Sequence, residues 1–203
     1  MNVIIRMESS SDMRMEYLMT SWKLTKEGFA MNIERITGVT HPLYQKAMEL
    51  YNLSFPPHEQ RETHSQNQIL MQDAYHFDII CDEGEFVGEI LYWEIAGFFY
   101  IEHFCVLPAM RNKHYGQRIL NAYQVTPLIL EIDPPVDEIS IRRKRFYERC
   151  GFVENSFRHI HPPYHAENQG HELVIMSSPI MLEADEYESF NRYLRDVVMK
   201  DVY

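Results

Sequence analysis

No apolar run in this 203-residue chain approaches the ~18 residues that would suggest a membrane-spanning helix. The N-terminus lacks a basic start followed by a continuous apolar core, so no secretory signal is expected. Cysteine is scarce. Cys81, Cys105 and Cys150 stand in apolar or strand-like contexts without CxxC spacing. That pattern fits buried free thiols in a reducing compartment, and cytoplasm is the expected location. Positive charge is short as well. The formal net charge is −11, which argues against non-specific binding to nucleic acid.

The 45% hydrophobic content suits one domain, or one domain with an extension. Charge is unevenly spread. Residues 111–149 hold eight Lys/Arg and five Asp/Glu, so this segment is +3 and the remainder −14. An acidic protein with one basic segment fits an anionic ligand there and a cationic substrate elsewhere; it equally fits a solvated charged face.

Residues 1–30 are rich in Met and Ser without a sustained period, and the pattern changes at Met31 to a plain strand, Asn32–Ile36. We therefore expect an extension over 1–30, a core domain over 31–180 and an amphipathic C-terminal helix within 181–203. Lys26-Glu27-Gly28 can be encoded by a purine-rich run of the kind that precedes bacterial start codons, so Met31 is one reading of the true start. A partly disordered arm is the other.

Thr40-His41-Pro42 reads as a helix start, with Leu43, Ala47, Leu50 and Leu53 as the apolar stripe. Ser54-Phe55-Pro56-Pro57 breaks it, and a polar helix is expected over 59–71; the break could line a cleft or be an ordinary turn. Strands are expected over 75–81, 85–95 and 98–106, joined by turns at Asp82-Glu83-Gly84 and Ala96-Gly97. Leu128–Ile132 reads as a strand buried on both faces. Asp137 or Ser140 caps a helix that ends at Gly151, and strands at 152–157 and 173–176 flank a loop rich in His and Pro. A final helix near 184–199 places Tyr187, Phe190, Leu194 and Val197/Val198 on one side, suited to packing or to a dimer contact. The order β-α-α-β-β-β-α-β-α-β-β plus a helix predicts an α/β (α+β) fold: a mixed central sheet of about six to seven strands with helices on both faces.

The stretch from Phe98 to Gln124 organises this plan. An apolar strand stops at Pro108; the polar loop Arg111-Asn112-Lys113-His114-Tyr115-Gly116 follows; then Ile119, Leu120 and Tyr123 recur at helical spacing. A strand, a cationic loop and a helix N-terminus make an anion site, because the first N–H groups of a helix lack internal partners.

The run Val106 to Gly116 resembles the acetyl-CoA-binding motif V-x-P-x-x-R-x-x-G-x-G of the GNAT N-acetyltransferase superfamily, with His114 at the first glycine position. Phe146-Tyr147-Glu148-Arg149-Cys150-Gly151-Phe152 resembles its second signature, a Tyr four residues before Gly-Phe. The resemblance covers about residues 31–180. It implies the GNAT fold and an N-acetyltransferase that moves the acetyl group of acetyl-CoA directly to a primary amine of a small molecule or peptide, with no metal, nucleic-acid or membrane partner. It also implies roles. Phe104, Cys105 and Val106 would lie along the pantetheine arm, which pairs with the exposed strand like an added strand. Arg111, Asn112, Lys113, His114, Tyr115, Gly116 and Gln117 would hold pyrophosphate, with Ser140 and Arg143 nearby. Tyr147 would protonate the departing thiolate.

For the general base we look to Glu102, which strict alternation puts on one strand face with Phe104 and Val106; Glu89 and Glu94 are alternatives. His159, His161, His165 and His171 flank Pro162-Pro163-Tyr164 without completing a recognised metal spacing, so we expect a loop bordering the acceptor site with Tyr164 on substrate. A non-catalytic acyl-CoA-binding or sensory module on the same fold is the alternative function.

Overall fold

The computed structural model describes residues 31–95 and 97–203. The expected N-terminal extension, the reading of Met31 as a start, and Ala96 of the expected hairpin turn lie outside the described residues. Eight strands form the sheet: β1 (Met31–Arg35), β2 (Tyr75–Asp82), β3 (Glu85–Ile95), β4 (Phe98–Val106), β5 (Leu128–Ile132), β6 (Val153–Glu154), β7 (His159–His161) and β8 (His171–Ser178). Their order is β1-β2-β3-β4-β5-β8-β6, with β7 paired to β8. All pairings are antiparallel except β4–β5. Of the strand expected over 152–157 only Val153–Glu154 (β6) forms, and a further short strand, β7, arises at His159–His161 in the expected His- and Pro-rich loop; both pair with β8, and β7 brings the number to eight where six to seven were expected.

The helices are α1 (Tyr44–Ser54), α2 (Thr63–Ile69), α3 (Tyr115–Tyr123), α4 (Glu138–Arg149) and α5 (Ala184–Tyr193), the last continuing as a π-helical turn over Leu194–Val198. Two apolar clusters cover the two sheet faces. On one face, residues of α1, α2 and α5 pack over Phe77, Ile79, Trp93, Tyr100 and Ile129. On the other, α3 and α4 pack over Ile80, Ile90, Ile101, Leu128 and Leu130. The C-terminal segment belongs to the first core: Tyr187, Phe190, Leu194 and Val198 are buried, while Val197 is 37% exposed.

Two boundaries differ from expectation. Helix α1 starts at Tyr44, because the His41 ring turns back and its Nδ1 accepts from Leu43 N–H at 3.2 Å. The polar helix expected over 59–71 is a 3-10 turn at Pro57–Glu59 followed by α2 from Thr63. Between them the chain is extended at Gln60, and Arg61 is drawn into the core. By contrast Asp137 caps α4 as expected: its Oδ1 accepts from the N–H of Ile139 and of Ser140, both at 2.8 Å.

Candidate active site

Strands β4 and β5 pair only at Phe99–Leu128, Tyr100–Ile129 and Ile101–Leu130. Beyond Ile101 the two strands have no mutual pairing, while β5 continues against β8 to Ile132. The sheet is therefore split at its centre, with the last five residues of β4 on one side and Glu131 and Ile132 on the other. Leu107 N–H donates to Val87 O at 2.9 Å, so the backbone groups of odd-numbered residues here face β3. By alternation, those of Phe104 and Val106 face the split. An open strand edge inside a sheet is a place where an extended ligand can pair.

A β-bulge lies at the mouth of the split. Leu91 pairs with His103 but Tyr92 pairs with Ile101, leaving Glu102 as the extra residue. Before the bulge, Phe98 and Tyr100 face the α1/α5 core; after it, Cys105 does. Phe104 and Val106 face the α3/α4 core with Ile101. The bulge thus reverses the alternation, and Glu102 does not share a face with Phe104 and Val106 as expected. It points to the α1/α5 side.

There Glu102 is enclosed. Arg61 Nη2 lies 3.0 Å from its Oε1 and Arg61 Nε donates to the same oxygen at 3.1 Å. Trp93 Nε1 donates to Oε2 at 2.7 Å and the Tyr164 hydroxyl to Oε1 at 3.0 Å. Burial works to raise the Glu102 carboxyl, but Arg61 foremost, with His103, Trp93 and Tyr164, holds it below its ordinary range. Such a group stays ionised and has little basicity to offer. Arg61 also donates to Val198 O, tying the network to the C-terminal segment. Tyr164, expected on substrate, is 5% exposed and spends its hydroxyl on Glu102.

A second buried carboxylate stands opposite, on β5. Glu131 binds His159 Nε2 and accepts from the Tyr100 hydroxyl, and His161 Nε2 lies 3.7 Å away. Burial raises its carboxyl, while His161, His159 and Tyr100 hold it below its ordinary range. The other two expected alternatives lie elsewhere. Glu89 is fully buried; it accepts from Cys105 Sγ at 3.4 Å, and burial pushes it well above the usual carboxylate range. Glu94 pairs across the sheet with Phe99, at the far end of β4 from the split, and lies 3.6 Å from His76.

Below the split, the loop 111–114 is exposed. Asn112 and His114 adopt left-handed backbone, at φ +60 and +62. His114 is the N-cap of α3 and its side chain caps nothing; the helix ladder begins with Arg118 N–H to His114 O at 3.0 Å. The N–H groups of the first turn are thus left for a ligand. Tyr115 donates to Asp82 at 2.8 Å and Arg118 lies 3.6 Å from the same carboxylate, which fixes the start of α3 to the end of β2. Arg111 Nε donates to Val106 O at 3.3 Å. Gly116 packs closely, since a Cβ there would meet the Phe146 ring at 3.0 Å and the ring would have to give by a few tenths of an ångström. Lys113 and Gln117 are exposed alongside.

On α4, Tyr147 packs between Phe146 and Phe152, and among the described residues its hydroxyl makes no hydrogen bond. Burial pushes its pKa up to about 12, against a small pull from Arg143. Ser140 is committed to the helix cap, its Oγ accepting from Asp137 N–H at 3.1 Å, and Arg143 pairs with Asp133 at 2.6 Å.

A cavity of about 340 Å³ opens where the split ends, lined by His58, Glu59, Asp133, Pro163, Asn168, Gln169 and His171. It brings together the 3-10 turn after α1, the residue following β5 and the loop between β7 and β8. His165 joins the two loops, its Nε2 lying 2.8 Å from Pro57 O. Sequence reasoning missed Arg61, His103, Glu131 and Glu59. The available signal for three of them was a lone polar residue in an apolar strand, or an Arg beside a Pro-rich break. Among the described residues no group of His, Cys, Asp and Glu is arranged to hold a metal ion. No described helix is long and apolar enough to cross a membrane.

A sheet split between parallel neighbours, beside a cationic loop that opens a helix, defines the acyl-CoA-dependent acetyltransferase class. Comparison with known proteins agrees. Residues 73–154 match the family model of the acetyltransferase (GNAT) domain. A GNAT-family acetyltransferase structure from Bacteroides thetaiotaomicron is 32% identical, over 82% of this chain and 97% of that one, with a TM-score of 0.77. The chain therefore belongs to the GNAT acetyltransferase family, whose co-substrate is acetyl-CoA. Two more distant structures share the fold. An acetyltransferase of Bacillus subtilis in complex with CoA is 14% identical over 72% of this chain and 97% of that one, TM-score 0.51. A spermidine N-acetyltransferase chimera from Vibrio cholerae and hSSAT is 14% identical over 80% and 99%, TM-score 0.54. No curated protein sequence matches the chain.

Proposed function

We propose that this acetyltransferase moves the acetyl group of acetyl-CoA directly to a primary amine, in the cytoplasm. The observation that carries this reading is the split between β4 and β5 with the cationic loop 111–117 at its foot. Acetyl-CoA supplies an activated acyl group. Phe104 and Val106 would pair the backbone groups that face the split with its extended arm, Arg111 releasing the Val106 carbonyl. The first-turn N–H groups of α3, with Arg111 and Lys113, would hold its pyrophosphate. The left-handed backbone at Asn112 and His114 supports this, because it turns successive N–H groups inward as an anion nest. Tyr147 stands with a free hydroxyl and would give its proton to the sulfur as the C–S bond breaks.

The acceptor would enter from the 340 Å³ cavity, whose wall carries the carboxylates of Glu59 and Asp133. Such a wall favours a cationic acceptor over an aromatic or aliphatic one. The spermidine N-acetyltransferase among the fold relatives is compatible with that choice, though it is too distant to select it. Calorimetry with CoA, followed by thiol release from acetyl-CoA with a panel of primary amines, tests the reading. CoA binding with amine-dependent release is expected. CoA binding without release for any amine would favour a non-catalytic acyl-CoA module.

A further inference from the structure

We propose that Glu59 is the general base that takes the proton from the acceptor amine. The proposal rests on the reading of the protein as an amine acetyltransferase and assigns a residue that the strand pattern gives no reason to choose.

The bulge in β4 places His103 on the acceptor side, where its ring is walled in by Tyr51, Phe55 and Tyr164. From there His103 Nε2 lies 3.0 Å from the Glu59 carbonyl. This bond reaches from the bulge to the 3-10 turn Pro57–Glu59 and pins that turn over the end of the split. His165, on Pro57 O, pins it from the other side. The turn is thereby a fixed shelf, and Glu59 lines the cavity together with Asp133, the residue that follows β5. The cavity's other carboxylate, Asp133, is already bound to Arg143 at 2.6 Å. Glu102 and Glu131 are enclosed by donors. Glu89 lies in the core away from the cavity. Among these carboxylates Glu59 alone combines a place on the cavity wall with a side chain not bound to Lys or Arg at short range; the exposed His58 ring lies 3.6 Å from it.

The electrostatics fit the task. Burial and then Asp133 push the Glu59 carboxyl above its ordinary range, while His58, Arg143 and His161 pull it down. His171, on the opposite wall, is held toward its neutral form by burial and by His161. A base with a raised pKa takes a proton from an ammonium more readily than a free glutamate does. The protons balance. Glu59 takes one proton from the ammonium and passes it to solvent. The freed amine then forms the N–C bond and loses its second proton to Glu59, while Tyr147 gives one to the sulfur as the C–S bond breaks and regains it from solvent, so one proton is released overall.

The test compares wild type, Glu59→Gln and Glu59→Asp with the best acceptor of the amine panel, over pH 6 to 10, with CoA affinity by calorimetry in parallel. Glu59→Gln should lower kcat roughly 10²-fold at neutral pH, with CoA affinity unchanged. Its deficit should shrink steadily as pH approaches the amine's own pKa of about 10, where solvent has already removed the proton. Glu59→Asp keeps the charge but retracts it by one methylene; it should lose about tenfold in kcat with little change in KM. A Gln variant with the wild-type kcat and pH profile overturns the proposal. So does one with only a raised KM, which would make Glu59 a charge contact for the acceptor. If wild type binds CoA but acetylates no amine, the functional reading itself fails, a result visible before any variant is made.

Discussion

The two sides of the split sheet solve the same problem in opposite ways. On the acceptor side each buried carboxylate is enclosed by hydrogen-bonding partners: Glu102 by Arg61, Trp93 and Tyr164, Glu131 by His159 and Tyr100. On the other side, under α3 and α4, Asp78 is 6% exposed and receives a hydrogen bond from the Tyr123 hydroxyl at 2.7 Å; burial pushes it up to about 6. The helix start above it has no side-chain cap, so its first-turn N–H groups lack an intrahelical partner. One side is prestressed and self-contained, the other open and waiting. The contrast teaches where rigidity is built in: around the acceptor, whose identity must be discriminated, and not along the arm of a ligand that brings its own charge and shape.

The largest expected effect tests the self-contained side. Arg61→Ala or Glu102→Ala should each cost about 3–5 kcal/mol in urea denaturation, since either leaves a buried charge alone. Replacing both, Arg61→Met with Glu102→Leu, should recover most of that loss. A single cost below about 1 kcal/mol would mean the pair is not structural, and would free Glu102 for chemistry.

The next effect has the opposite sign. Asp78 has a folded pKa of about 6 against an ordinary 3.8, so the folded state binds the extra proton between these values. Stability from this group is full below about 3.8, declines as pH rises to 6, and stays lost above it. Asp78→Asn should abolish that decline and gain up to about 3 kcal/mol at pH 8. Flat stability of the wild type across this window would remove the contrast between the two sides.

Tyr147→Phe should lower turnover roughly 10²-fold, about 2.7 kcal/mol, with CoA affinity and melting temperature nearly unchanged. Equal turnover would return Tyr147 to a packing role. The smallest effect is at the loop. His114→Gly relieves left-handed backbone and should stabilise by about 1 kcal/mol. CoA affinity by calorimetry should stay within a few-fold; a tenfold loss would show that the imidazole itself is a phosphate donor.

The open side was largely legible in the sequence, because its features are local. The anion loop runs from Arg111 to Gly116 within a strand-loop-helix unit, and the Tyr147 signature is a single helix turn from Gly151. The cap at Asp137 was legible for the same reason. The acceptor side was not, because its pairs are distant in the chain: Arg61 with Glu102 is 41 residues apart, and Arg61 with Val198 is 137. Nor does any local pattern announce the bulge at Glu102. One extra residue in β4 is invisible to a period-two reading of β4 itself, and that reading put Glu102 on the wrong face. Gly116 shows a subtler limit: a glycine in the motif position also gives room here to the Phe146 ring, a contact the motif does not announce.

The bulge also makes β4 a strand with two phases. Upstream, even-numbered positions feed the acceptor-side core; downstream, odd-numbered ones do. A one-residue deletion at Glu102 would not merely remove a carboxylate. Because Glu102 is the extra residue, its loss would leave Ile101 and His103 opposite Tyr92 and Leu91 in one regular ladder, with the remaining β4 side chains still on their own cores and Arg61 without its carboxylate. The bulge is therefore the means by which β4 turns two neighbouring side chains to one face: Glu102, which Arg61 holds, and His103, which reaches the Glu59 carbonyl.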